Sequence, residues 1–249
     1  MNKILFVLLS LILAPALAQD YPSHPVKIVV PYTAGGSSDF VARTLAARLG
    51  ERFKQSFVVE NKPGGNAQIG VEFVAKAAPD GYTLLLIGQT THATAPALYK
   101  KLPYDPLKDF VPVARAVESP VAAVVHPDVP AQTLREFADW ARANPGKVNY
   151  GSAGVGNTLH LAGELFALTA GVQMTHVPYK GASQALTDLL GGRIQVMFDL
   201  PQTPLANIQS GKLRALAVTS RERLAVLPNV PTTAEAGLPG FLFGTWIGI

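Results

Sequence analysis

Pro31-Tyr32-Thr33-Ala34-Gly35-Gly36-Ser37-Ser38-Asp39 follows directly on the apolar run Val26–Val30, and Gly151-Ser152-Ala153-Gly154-Val155-Gly156-Asn157-Thr158 follows directly on Val148-Asn149-Tyr150. Each stretch reads as a strand turning into an amphipathic helix, with small hydroxyl or amide residues where the helix begins. A helix start exposes unpaired N–H groups and the positive end of the macrodipole, and so attracts anions. Glycines let that backbone approach a ligand closely, and curved Gly/Ser segments form anion-binding nests. Two such turns in one chain point to a small acid held from two sides.

Outward from these turns, strand-like runs alternate with helical ones, the pattern of an α/β fold with parallel strands. Strands are expected at Val26–Pro31, Phe57–Glu60, Tyr82–Gly88, Val148–Tyr150, Met174–Val177, Ile194–Asp199 and Leu213–Thr219. Helices are expected at Asp39–Phe53, Gln68–Ala77, Ala93–Leu98, Ala131–Ala143, Thr158–Ala170, Gly181–Leu190 and Pro204–Ser210. The long extended stretch Val111–His126, broken by Pro112 and Pro120, is the expected crossing between two lobes. Lobe one is then residues 19–119 with 242–249 returning to it, and lobe two residues 120–241. The chain stops inside the apolar segment Phe243–Ile249, where a polar, exposed end is the norm, so a truncated chain is expected.

Residues 1–18 read as a secretory signal, with Lys3 in the charged part, an apolar core at Ile4–Leu13 and cleavage after Ala18 in Ala16-Leu17-Ala18. That core falls short of the ~20 residues needed to span a bilayer. Cysteine is absent, so no lipidated cysteine is available as a tether, and a chain of this size manages without disulfides. The expected place is a Gram-negative periplasm. Net charge is +4, but the basic residues are scattered and form no patch or stripe, which excludes nucleic acid as a partner.

The Gly151–Thr158 turn fails three tests for other chemistry. Tyr150 stands where a nucleophile elbow needs glycine, Leu159 interrupts a dinucleotide loop, and no Gly-Lys-Ser/Thr follows. Ser152, Ala153, Gly154, Asn157 and Thr158 are the candidate ligand contacts, set against plain helix capping by Asn157 or Thr158. In the first turn Thr33, Gly35, Gly36 and Ser37 are candidates, and Asp39 reads equally as a cap. Thr90 and Thr91 lie past the end of a strand, where open α/β sheets keep their ligand crevice. Tyr179 and Asp199 follow two further strand ends, with capping near Pro204 the plain alternative for Asp199. His160 and Glu164 do not make His-Glu-x-x-His, so neither metal nor cofactor is expected.

The ordered set Pro31-Tyr32-x-x-Gly35-Gly36-x-x-Asp39, Ala77-Ala78-Pro79-Asp80-Gly81-Tyr82-Thr83, Lys101–Pro106, Tyr150–Gly154, His160–Glu164, His176–Gly181, Met197-Phe198-Asp199 and Gly211–Ala217 resembles the Bug-type receptors. These are the extracytoplasmic solute-binding proteins of tripartite tricarboxylate transporters. The resemblance spans essentially all of the chain after the signal. It implies a two-lobed, type II-like periplasmic binding fold that closes on an organic acid or amino acid and then docks on membrane subunits of the transporter. It implies that the Pro31–Gly36 loop holds the ligand through ordered water and that Gly151–Gly154 with the following helix grips a carboxylate. Asp199 would help to select the ligand. Family members continue past the segment matching Trp246–Ile249 and complete lobe one there. Two rival readings are an exported hydrolase using Ser37 or Ser152, with His92 or His160 as its base, and a ligand-sensing domain for a signalling partner.

Overall fold

Residues 21–249 are described by a computed structural model, and the expected signal segment with its cleavage after Ala18 lies outside them. Valine-rich runs supply the strands because branched side chains fill a pleated, buried surface. β1 (Val26–Val30) is central in a parallel sheet, pairing with β2 (Phe57–Asn61) on one side and β3 (Thr83–Leu85) on the other. Helices α1 (Ser37–Phe53) and α2 (Gln68–Ala75) form the crossovers.

The expected strand at Tyr82–Gly88 divides in two. Leu86 N–H still bonds Val29 O, but β4 (Ile87–Gly88) leaves for a second, antiparallel sheet. There the returning strand β11 (Gly244–Gly248) lies between β4 and β5 (Arg115–Pro120). The helix expected at Ala93–Leu98 opens earlier, as a wide π turn over Thr90–Thr94 that runs into the short α3 (Ala95–Leu98).

From β5 the chain enters the third sheet directly, through Val121 into β6 (Ala122–Val125). This sheet has the order β10-β6-β9-β7-β8, with β7 at Asn149–Ser152, β8 at Thr175–Pro178, β9 at Val196–Asp199 and β10 at Arg214–Val218. β7 runs parallel to β8 and β9, whereas β6 runs antiparallel to its neighbours. Helices α4 (Leu134–Ala143), α5 (Thr158–Ala170), α6 (Ala182–Leu190) and α7 (Leu205–Gln209) accompany it. α4 starts at Leu134 rather than Ala131 because Thr133 accepts from Glu136 N–H while Glu136 reaches back to Gln132 N–H, a capping-box exchange.

Both crossings between the second and third sheets meet at one side chain. Val121 N–H donates to Thr219 Oγ1 (2.9 Å), and the Thr219 hydroxyl donates to Phe243 O (2.6 Å). Behind the third sheet, Phe166 of α5 is fully buried, with ring centroids of Phe198, Phe137 and Phe241 at 5.1–5.6 Å. No helix among the described residues is long and apolar enough to cross a membrane.

Truncating a buried phenylalanine removes its transfer energy and leaves a cavity. Phe166→Ala is therefore expected to lower unfolding stability by about 3–5 kcal/mol, measured from urea denaturation midpoints.

Candidate functional site

The turn after β1 is shaped by Asp39. Gly35 takes φ +82°, and its amide donates to Asp39 Oδ2 (3.0 Å). The same carboxylate pairs with Arg43 Nε (2.9 Å) and accepts from Asn61 Nδ2 (3.0 Å). Burial pushes this carboxyl up, but Arg43, the Gly35 amide and Asn61 outweigh it and hold it below the usual carboxylate range. Asp39 is thus a loop-shaping anion, already neutralised. The helix ladder begins only with Phe40 N–H to Gly36 O (3.0 Å), so the amides of Ser37, Ser38 and Asp39 precede it.

The turn after β7 ends on Asn157, the N-cap of α5, whose Oδ1 accepts from Leu159 N–H (2.9 Å). Thr158 N–H donates to Thr90 Oγ1 (3.2 Å), and Asn157 Nδ2 lies 3.4 Å from the same oxygen. Thr90, Thr158 and Thr245 form a hydroxyl chain with links of 3.2 and 3.3 Å. Tyr32 completes it. Burial pushes its hydroxyl up, while the Thr90 and Asn157 side chains hold it back.

Both helix starts open onto one cavity of about 60 Å³, enough for several water molecules. Its polar wall is made by Tyr32, Thr33, Ser37, Ser38, Thr90, Asn157, Thr158 and Thr245, with Asp199 and the already paired Asp39 as its acidic residues. Leu159, Leu200, Trp246 and Ile247 supply the apolar wall, and no lysine or arginine among the described residues lines it. Asp199, at the end of β9, is almost wholly buried. Its Oδ1 accepts from Leu200 N–H (2.7 Å) and faces Ser37 Oγ at 3.5 Å, and its Oδ2 has no partner among the described residues. Burial pushes this carboxyl up to about 7, against the pull of Leu200, Thr203 and Ser37.

The expected contacts divide accordingly. Thr33, Gly36, Ser37, Thr90, Ala153, Asn157, Thr158 and Asp199 line the cavity, while Gly35 faces an outer cleft beside Phe40 and Gln202. Thr91 is turned away, its hydroxyl on Gly88 O (3.2 Å). Tyr179 is likewise directed elsewhere, donating to Asp188 Oδ2 (2.7 Å). Gly154 and Ser152 lie outside the lining. Tyr32, Thr245 and Trp246 are among the lining residues that the sequence reading missed. Tyr32 stood inside the quoted turn, and the other two arrive on β11, whose place beside β4 no local signal reveals.

Ser152 has a different neighbour from those considered for the hydrolase reading. Its Oγ is 2.5 Å from His176 Nε2, and the His160 ring packs against that imidazole, centroids 4.0 Å apart. Burial, with His160 close by, pushes His176 down to about 4 against the attraction of Glu164. The serine is fully buried, which denies it access to substrate, and its imidazole neighbour is a weak base, so the pair is poorly suited to nucleophilic attack. The pair instead braces the turn, together with His160, whose Nδ1 accepts from Gly156 N–H (3.0 Å). That bond places the ring proton on Nε2, facing Glu164 Oε1 at 3.7 Å.

A family model described as tripartite tricarboxylate transporter family receptor matches residues 41–249. The chain belongs to this family. It is 37% identical over 246 residues to protein BugT of Bordetella pertussis, covering 98% of this chain and 76% of BugT. The solved periplasmic binding protein BugD is 40% identical, with a TM-score of 0.87, covering 92% of this chain and 76% of BugD. Rpa4515 of R. palustris with adipate is 38% identical (TM-score 0.89; 92% and 77% covered). MatC of Rhodopseudomonas palustris with bound malate is 37% identical (TM-score 0.85; 92% and 78% covered). The α/β fold, with sheets flanked by helices, is thus that of periplasmic binding proteins, and the family and these neighbours are solute-binding proteins, not enzymes.

The Asp199 carboxyl makes stability depend on pH. Between its ordinary value of 3.8 and about 7, the folded protein keeps a proton that the unfolded chain has lost. The stability from this group is complete below pH 4 and is lost as pH rises through about 7. Asp199→Asn is expected to be about 2–4 kcal/mol more stable than the parent at pH 8, the gap closing towards pH 4. Parallel pH–stability curves from chemical denaturation would contradict this.

Proposed function

We propose that this protein is a periplasmic receptor that captures a small carboxylate-bearing solute, an organic acid or amino acid, between two lobes. It then delivers the solute to the membrane subunits of a tripartite tricarboxylate-type transporter. Export follows from the signal at residues 1–18, cleaved after Ala18. Lobe one is residues 19–119 with 242–249, and lobe two is 120–241. Binding shifts a hinge equilibrium towards the closed form, and the closed form is what the membrane subunits read.

One observation carries the ligand class. The starts of α1 and α5 converge on a single cavity rich in hydroxyl and amide groups and without a cation. Such a wall stabilises one carboxylate through dipoles, which can be reoriented as the ligand leaves. Hydroxyls suit this task because each can turn its hydrogen towards an anion. The Thr33, Gly36 and Ser37 side of the cavity belongs to lobe one, and the Ala153, Asn157, Thr158 and Asp199 side to lobe two. Ser152, Gly154, Gly35, Thr91 and Tyr179 support the wall from behind it. The adipate and malate held by the two solved neighbours agree with the class proposed.

Thermal denaturation with adipate, malate and a panel of other mono-, di- and tricarboxylates tests this. At a hundred times its Kd, a ligand adds about 2.7 kcal/mol, which for a chain of this size raises the melting point by roughly 5–10 °C. The diamide of a stabilising acid should give no shift. A panel in which no carboxylate raises the melting point would remove the proposed function.

A further inference from the structure

The second turn carries two glycines that the cavity does not use. Gly154 takes φ +125° and Gly156 φ +74°. A Cβ on Gly154 would run into Asn66 Oδ1, and one on Gly156 would run into Leu98 Cδ1. Asn66 and Leu98 both come from the lobe-one side of the cleft. The bare backbone of Gly154-Val155-Gly156 is therefore a socket into which two lobe-one side chains fit.

Asn66 is held for this purpose by its own surroundings. Gly64, Gly65, Asn66 and Ala67 all have positive φ, and a run of such residues that includes alanine is costly unless contacts elsewhere fix it. Asn66 Nδ2 donates to Tyr99 OH (2.8 Å) within lobe one and to Val155 O (2.5 Å) across the cleft. Two acceptors on one nitrogen fix the orientation of the amide. Its Oδ1 is buried against Gly154 with no partner among the described residues, an arrangement that a plain turn residue does not require. Leu98 and Val155 are each about half exposed, so the contact lies at the rim of the cleft and outside the core.

We propose that Asn66 and Leu98 form a clasp that seats on Gly154–Gly156 and sets how much of the protein is closed. Asn66 is a positioning residue: it reaches no ligand, but it holds the Gly151–Thr158 turn against lobe one. The inference rests on the receptor reading, in which the lobes open and close.

The chain has no cysteine, so a single pair introduced at the exposed Arg48 of α1 and at the exposed Asp128 can carry spin labels. Pulsed electron resonance then reports the distance between the lobes, without ligand and with saturating adipate or malate. Asn66→Gly keeps the left-handed backbone accessible and removes only the side chain, and Leu98→Ala trims an exposed group. Each is expected to lower the closed-to-open ratio about tenfold while the melting point stays close to the parent's. Unchanged distance distributions in both variants would overturn the clasp, as would a parent protein that never reaches the closed separation. If neither acid moves the parent's distribution but both variants still open it, the clasp stands and these acids do not support the receptor reading. If the acids close parent and variants alike and the ligand-free distributions also coincide, the receptor reading stands and the clasp fails.

Discussion

Backbone amides at a helix start have no partner inside the helix, and this structure turns two such starts towards the same small space. Everything that positions the cavity serves that arrangement. β1 and β7 aim their chains at it, and the turns that follow are short and glycine-rich. Asp39 takes the Gly35 amide ahead of the first helix, and Asn157 satisfies only the Leu159 donor of the second. The remaining polarity is supplied by hydroxyls from four separate chain segments, at Ser37, Thr90, Thr158 and Thr245. A cation in this wall would bind an acid more tightly and release it less readily. Dipoles in a site of low dielectric give strength without a permanent countercharge.

The two sides of the cavity are joined at a narrow place. Thr219 ties the strand leaving the second sheet at Val121 to the strand returning to it at Phe243. A single hydroxyl that bonds both crossings keeps them side by side, as the proposed hinge of two strands would require. Under that proposal, contacts far from the crossings would have the leverage to set the degree of closure. The Asn66 amide over Val155 and the Thr33–Ser183 hydroxyl pair (3.0 Å) are both of this kind.

Much of this was legible in the sequence because the decisive signals are local. A β-branched run, a glycine turn and a small polar residue before an amphipathic stretch lie within about ten positions of one another. Both helix starts and the strand-end position of Asp199 were therefore readable. What was not readable depends on residues far apart in the chain. Ser152 looked like a jaw residue, but a strand partner places His176 beside it. Gly154 and Gly156 were read as freedom to approach a ligand, whereas their missing side chains make room for Asn66 and Leu98. Trp246 and Thr245 reach the cavity only because β11 inserts between β4 and β5. The break at Leu86 was hidden for the same reason, since one continuous apolar run feeds two sheets.

The central claim is that backbone amides and hydroxyls, not charged side chains, hold the carboxylate. Backbone amide NMR of the protein, titrated with the acid that most raises its melting point, addresses this directly. The largest shifts are expected at the amides of Ser37 and Ser38, which precede the helix ladder, and at those of Thr158 and Leu159, whose bonds to Thr90 Oγ1 and Asn157 Oδ1 rearrange as the acid enters, all saturating together with a single Kd. Shifts confined to residues around lysine or arginine side chains, with these four amides unmoved, would contradict it.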